Sequence, residues 1–155
     1  MSREDVYAAA AAMIVRWDML RILGNRSFYG VPESAGKARK WVRELLEDHV
    51  SGEVIETAEL LVSEVVTNSI LHSDSGLDPD GQITVGVGLG RGLVHIEVID
   101  QGSVLNNIPA MRPVDDDSLS GRGLSWVNHL SSEWGNDHDR EIGRAVWFQL
   151  ALAST

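Results

Sequence analysis

The hydrophobic period of this chain changes sharply across the stretch Ser73-Asp-Ser-Gly-Leu-Asp-Pro-Asp-Gly81. Before it, apolar residues recur at helical spacing. From Ser51 onward, at ~100° per residue, Val54, Ala58, Leu61 and Val65 share one face. After it, Ile83, Val85, Val87 and Leu89 alternate with Gln82, Thr84, Gly86 and Gly88, as in a half-buried strand. The stretch itself is dense in Gly, Pro, Asp and Ser and reads as a turn. Gly90-Arg-Gly92 then connects to a second alternating run, Leu93 to Asp100, with Val94, Ile96 and Val98 on one face. So short a connection makes the two runs an antiparallel hairpin.

The other segments extend this plan. Ser27-Phe-Tyr-Gly30 is a short strand candidate ended by Gly30 and Pro32. A helix over roughly Ser34 to His49 turns Ala38, Trp41, Val42, Leu45 and Leu46 inward. Beyond Gly121-Arg-Gly123, a helix with Leu124, Val127 and Leu130 inward is expected. Strands follow at Glu133 to Gly135 and Arg144 to Leu152, joined by a polar hairpin from Asn136 to Gly143. In the last strand Val146, Phe148, Leu150 and Leu152 oppose Ala145, Trp147 and Gln149. Helices followed mainly by antiparallel strands predict an α/β (α+β) two-layer sandwich, with helices on one face of a mixed, mostly antiparallel sheet.

At 155 residues the chain is long enough for one domain with a real core. Residues 1–26 read as an N-terminal amphipathic helical extension, with Val6, Ala10, Met13, Trp17 and Leu20 on one face, and residues 27–155 as the domain. Its apolar centre is bounded by Arg3, Glu4 and Asp5 on one side and Arg16, Asp18 and Arg21 on the other. That is neither a membrane span, which needs ~20 nearly uncharged residues, nor a signal peptide with a basic start. The expected location is cytoplasmic, and the extension is a candidate dimer or partner interface. A net charge of −10 opposes direct binding to nucleic acid or an anionic membrane and suits a basic protein partner. With no cysteine, thiolate zinc sites, disulfides and cysteine nucleophiles are excluded.

Polar residues interrupt the pattern in two places. Asn68 and His72 continue the apolar stripe of the helix that begins at Ser51, and Glu64 lies at its edge. Asp100, by period two, falls on the face of Val94, Ile96 and Val98. Gly102 to Ser120 has no sustained period and includes Pro109, Pro113 and Asp115-Asp-Asp117. Loops longer than ~12–15 residues in a compact domain are usually functional or disordered. Taken singly, Glu-x-x-x-Asn at a helix end, Asp100-Gln-Gly102 after a strand and Gly121-Arg-Gly123 before a helix are ordinary solvated ends and turns.

As an ordered set they are distinctive. The chain resembles the GHKL ATPase superfamily, with its N-box, first glycine box, lid and second glycine box. The resemblance is closer to the bacterial anti-sigma-factor serine/threonine kinase branch. It rests on Glu59-Leu-Leu-Val-Ser-Glu64-Val-Val-Thr-Asn68-Ser-Ile-Leu-His72, on Gly121-Arg-Gly-Leu124, and on Gly143-Arg-Ala-Val-Trp-Phe-Gln-Leu150, which looks like the actinobacterial members. It covers about Ser27 to Leu152 and implies a Bergerat-type ATP-binding fold. In one departure, Asp100-Gln-Gly102 is followed by Ser103 and Val104 rather than a second glycine.

The resemblance implies ATP and Mg²⁺ as cofactors and assigns roles by position. Asn68 becomes the magnesium ligand, bridging through the metal to the phosphates. Asp100 accepts a hydrogen bond from the adenine amino group, and Gly102 lets backbone approach the base. Gly121, Arg122, Gly123 and Leu124 form the phosphate-facing turn at a helix start, and Glu64 matches the general base. Implied partners are a sigma factor and a STAS-domain antagonist phosphorylated on Ser or Thr. A non-catalytic ATP-binding interaction switch and a stand-alone histidine-kinase-like ATPase domain are the alternatives. His72 reads as a wall residue. His49, His95, His129 and His138 lack metal-ligand spacing, and Trp17, Trp41, Trp126, Trp134 and Trp147 read mostly as core anchors.

Overall fold

The computed structural model describes residues 17–73, 75–101, 127, 130–139 and 143–152. Its first strand, β1, spans Arg21–Tyr29. The strand expected at Ser27 therefore begins six residues earlier and takes in part of the segment read as a helical extension. Its pairing with β2 (Gln82–Gly90) explains this, because Arg21 aligns with Leu89 and Tyr29 with Gln82. Cross-strand hydrogen bonding overrides the weak local signal of Arg21-Ile-Leu-Gly-Asn-Arg26.

Helix α1 spans Glu33–Leu46 and buries Ala38, Val42 and Leu46, with Trp41 and Leu45 packed at the margin, as their spacing predicts. Helix α2 spans Gly52–His72. Ser51 caps it, its hydroxyl accepting a hydrogen bond from the Val54 N–H at 3.4 Å, and Glu53 sits at the positive end of the helix dipole. An ion pair of 3.0 Å between Arg43 and Glu59 ties the two helices together.

The sheet has the order β1-β2-β3-β5-β4, where β3 is Leu93–Asp100, β4 is Glu133–Asp139 and β5 is Gly143–Ala151. Every pairing among the described strands is antiparallel, so the sheet is more uniform than the mixed one expected. The stretch Asn136 to Asp139, read as hairpin, is strand paired with β5. It lacks apolar alternation, as an edge strand can.

The core lies between the helices and one sheet face. Ala58, Leu61, Val62, Val65 and Val66 of α2 meet Ile83, Val85 and Val87 of β2, Val94, Ile96 and Val98 of β3, and Val146, Phe148 and Leu150 of β5. Each such side chain, fully buried, stabilises the fold by roughly 1.5–3 kcal/mol relative to exposure. Val127, also expected inward, is buried, whereas Leu130 is 41% exposed and faces out. Leu124 and Trp126 lie outside the described residues.

The opposite face is covered too, which alternation alone did not indicate. Trp17 lies against Gly86 and Gly88, where an added Cβ would come within 3.0 and 2.8 Å of its ring. Beneath it His95 and Glu97 are fully buried. The His95 ring stands edge-on to Trp17 at 4.8 Å and stacks with Trp147 at 5.7 Å. Gln149 donates to His95 Nδ1 at 3.1 Å, which puts the proton on Nε2, and Nε2 donates to Glu97 Oε1 at 3.1 Å. Trp17 and Trp147 thus seal the outer face instead of anchoring the main core.

Candidate functional site

The site forms where the last turns of α2 meet the end of β3. Helical geometry puts Asn68 one turn beyond Glu64 and in line with Leu61 and Val65, so it is drawn into the packed layer. Asn68 is 6% exposed, while Glu64 and His72 are half-buried at the margin. Asn68 Oδ1 is shielded from solvent and, among the described residues, has no hydrogen-bond partner, and the same holds for Ser69 Oγ beside it. A buried acceptor without a donor costs about 1–3 kcal/mol and is uncommon in folded proteins. The last residue of this helix is secured by the Ser73 N–H donating to the Ser69 carbonyl at 3.1 Å.

Ser75 fastens this helix end to the sheet. Its hydroxyl donates to the Gln82 carbonyl at 2.9 Å and accepts from the Gln101 N–H at 3.0 Å. Its own N–H donates to Ser73 Oγ at 3.1 Å. The turn after α2 is therefore bonded to the start of β2 and to the residue following Asp100. This brings Asn68, His72 and Asp100 to one end of the sandwich.

Asp100 extends the inward series Val94, Ile96, Val98 and is buried, as its place in the alternation predicts. One of its partners is Arg144, opposite it in the β3–β5 register. Nε and Nη2 of Arg144 both donate to Asp100 Oδ2, at 3.2 and 2.9 Å. The side chains are 9% and 0% exposed. Gly143, just before the arginine, has φ +104, and a Cβ there would lie 1.9 Å from the Asp100 carbonyl oxygen. Only glycine permits this backbone and this approach.

Of the residues singled out from the sequence, Asn68 and Asp100 thus lie at one end, with Glu64 one turn further back along α2. Gly102, Gly121, Arg122, Gly123 and Leu124 lie outside the described residues. Two contributors went unnoticed in the sequence. Arg144 holds the inward position two before Val146, so the alternation that exposed Asp100 would also have exposed it. Ser75 sits in a run of turn residues and carries no signal of its own. A cavity of about 220 Å³, lined by Trp17, Ile22, Gly24, Glu97 and Ile99 among others, lies on the outer face of the sheet. None of the sequence-derived site residues lines it, so it is not this site.

Among the described residues, no group of three or more His, Cys, Asp or Glu is placed to hold a metal. The described helices include none long and apolar enough to cross a membrane.

Known proteins resemble this chain in sequence. Residues 30–150 match the model of the histidine kinase-like ATPase domain. The chain is 28% identical over 100 residues to an anti-sigma F factor of Geobacillus thermodenitrificans (strain NG80-2), covering 61% of this chain and 68% of the relative. It is 27% identical over 100 residues, with the same coverage, to an anti-sigma F factor of Geobacillus kaustophilus (strain HTA426). The family match spans the helices, the hairpin of β2 and β3, and nearly all of β5, and with it the chain is shown to belong to the histidine kinase-like ATPase domain family.

Proposed function

We propose that this protein is an ATP-binding regulator of the anti-sigma-factor type, which holds a sigma factor and phosphorylates a Ser or Thr of a STAS-type antagonist. The observation that carries the nucleotide reading is Asn68 Oδ1, a buried amide oxygen without a donor among the described residues, at the polar end of α2. A cation satisfies such an oxygen directly. The residues fit magnesium: Asn68 supplies a neutral oxygen, and the ion, when bound, neutralises charge on the phosphates.

The remaining chemistry belongs to the chain. Asp100, an acceptor-only group as a carboxylate, takes a hydrogen bond from the adenine amino group. Glu64, one turn before Asn68 and partly exposed, accepts the proton of the attacking Ser or Thr hydroxyl. The hydroxyl oxygen forms its bond to the γ-phosphorus as the bond to the β-bridging oxygen breaks, leaving ADP. Gly121, Arg122, Gly123 and Leu124 are assigned to the phosphates, and Gly102 to the base, by their place in the family pattern. The likeness to two anti-sigma F factors supports the sigma-factor partner, and the net charge of −10 suits a basic protein surface.

Labelled ATP and a cognate antagonist test the catalytic part. The wild type is expected to transfer label, and Glu64→Ala to bind ATP while transferring at least about a hundredfold more slowly, the lower range for a lost general base. Saturable ATP binding by wild type with no transfer would leave an ATP-switched binding protein.

A further inference from the structure

We infer that Ser75 is a positioning residue for nucleotide binding: its hydroxyl takes the place of the next rung between β2 and β3, and so sets how far the end of β3 lies from the Asn68 turn of α2. The inference rests on the nucleotide reading above and names what holds the two sides of that site at their spacing.

The register of the hairpin reveals the exchange. β2 and β3 pair from Gly90 opposite Leu93 to Thr84 opposite Ile99. Continued by two residues, the same register would set Gln82 against Gln101. Those are the residues that the Ser75 hydroxyl joins, donating to the Gln82 carbonyl at 2.9 Å and accepting from the Gln101 N–H at 3.0 Å. A hydroxyl suits the place because it is donor and acceptor at once. With one oxygen inserted, both backbone groups stay bonded, yet two hydrogen bonds span the gap where a direct ladder contact needs one.

A series of hydrogen bonds leads from this wedge back to Asn68. The Ser75 N–H donates to Ser73 Oγ at 3.1 Å, and the Ser73 N–H donates to the Ser69 carbonyl, also at 3.1 Å. Ser69 directly follows Asn68. The Ser75 backbone is itself confined. The Gly30 N–H donates to the Gly81 carbonyl at 2.9 Å, and a Cβ on either glycine would lie 2.0 or 2.1 Å from the Ser75 carbonyl oxygen. Ser75 is 0% exposed, so water does not compete for its bonds.

ATP with Mg²⁺ needs both sides at once, the base beside the end of β3 and the metal at Asn68. A ligand held at two points gains from the second only when their spacing is already right. In Ser75→Ala the Gln101 N–H and the Gln82 carbonyl are left to pair directly. That keeps the backbone groups bonded but draws the end of β3 toward β2. Ser75 therefore acts on metal-assisted binding without touching the metal.

The experiment measures equilibrium binding of ATP with and without Mg²⁺ to wild type, Ser75→Ala, Asn68→Ala and the double variant, with thermal unfolding recorded for each. The affinity that Mg²⁺ adds should fall by about tenfold in Ser75→Ala, the lower range for a residue that orients a metal ligand, while binding without Mg²⁺ changes less than about threefold. The double variant should bind no more weakly than Asn68→Ala, because both changes remove the same contribution. Ser75→Cys, similar in size with a weaker donor and acceptor, should fall between wild type and Ser75→Ala, and it decides the matter by the same Mg²⁺ comparison should the alanine variant not fold. Unchanged binding in the folded variant, equal loss with and without Mg²⁺, or additive losses in the double variant would overturn the inference and leave Ser75 a structural residue. Failure of the wild type to bind ATP, or to gain affinity from Mg²⁺, would instead overturn the nucleotide reading, a result that involves no variant.

Discussion

The two faces of the sheet each bury polar groups, His95 and Glu97 on one and Asn68 and Asp100 on the other. On the outer face the His95 ring has a partner at each nitrogen, Glu97 and Gln149, and lies between Trp17 and Trp147. On the helix face Asp100 is held by Arg144, but Asn68 Oδ1 has no donor among the described residues. A buried ring bonded on both sides tightens packing and specifies one arrangement. A buried acceptor without a partner opposes folding, and its presence is understandable where a ligand supplies the missing contact. The contrast sets a ring bonded at both nitrogens against an amide oxygen without a donor among the described residues, although burial alone ranks them alike.

The strongest way to break this contrast is to remove a partner on the outer face. Glu97→Ala leaves the His95 N–H without its acceptor in a fully buried site and should cost about 1–3 kcal/mol of stability, read from urea unfolding. ATP affinity measured on the folded fraction should be unchanged. A loss of affinity matching the loss of stability would show that the faces are not independent.

Gly143→Ala sharpens the helix face from the backbone side. With φ at +104 and the Asp100 carbonyl in the path of the new methyl, the strain should cost about 1–3 kcal/mol. Unlike Glu97→Ala, it should also weaken ATP binding, because it shifts Asp100 against Arg144. Calorimetric titration beside a thermal melt separates the two effects.

Asn68→Ala inverts the pattern. It removes an acceptor whose burial already opposes folding, so stability should change by less than about 1 kcal/mol. ATP affinity in the presence of Mg²⁺ should fall by about tenfold or more, the equivalent of ~1.4 kcal/mol, with little change when Mg²⁺ is absent. Titrations with and without the metal decide it. An equal loss in both conditions would deny Asn68 the cation.

The smallest effect belongs at the other end of α2. Ser51→Ala removes the cap on Val54 N–H and should lower stability by about 0.5–1 kcal/mol while leaving ATP affinity intact. A change in nucleotide binding would mean that the whole helix, and not its last turns alone, tunes the site.

Much of this was legible along the chain because it depends on spacing. The helical repeat put Asn68 in the buried stripe of α2, and period two put Asp100 on the core face of β3. Other features depend on which strands become neighbours. Arg21 to Arg26 has little strand character by itself and is strand because β2 offers it a hydrogen-bonding edge. Asn136 to Asp139 joins β4 for the same reason. His95 and Glu97 occupy positions that alternation assigns to solvent, and Trp17, distant in sequence, covers them.

The sequence by itself therefore determined the two layers, the ordered polar residues of the site and the family they resemble, since periodicity and motif order are properties of one chain read end to end. Tertiary structure alone decided that Arg144 faces Asp100, that Ser75 ties the end of α2 to the residue after Asp100, and that Asn68 keeps an unmet acceptor. These are contacts between residues 26 and 44 positions apart, or the lack of one. Strand register and burial create them, and no local propensity encodes either.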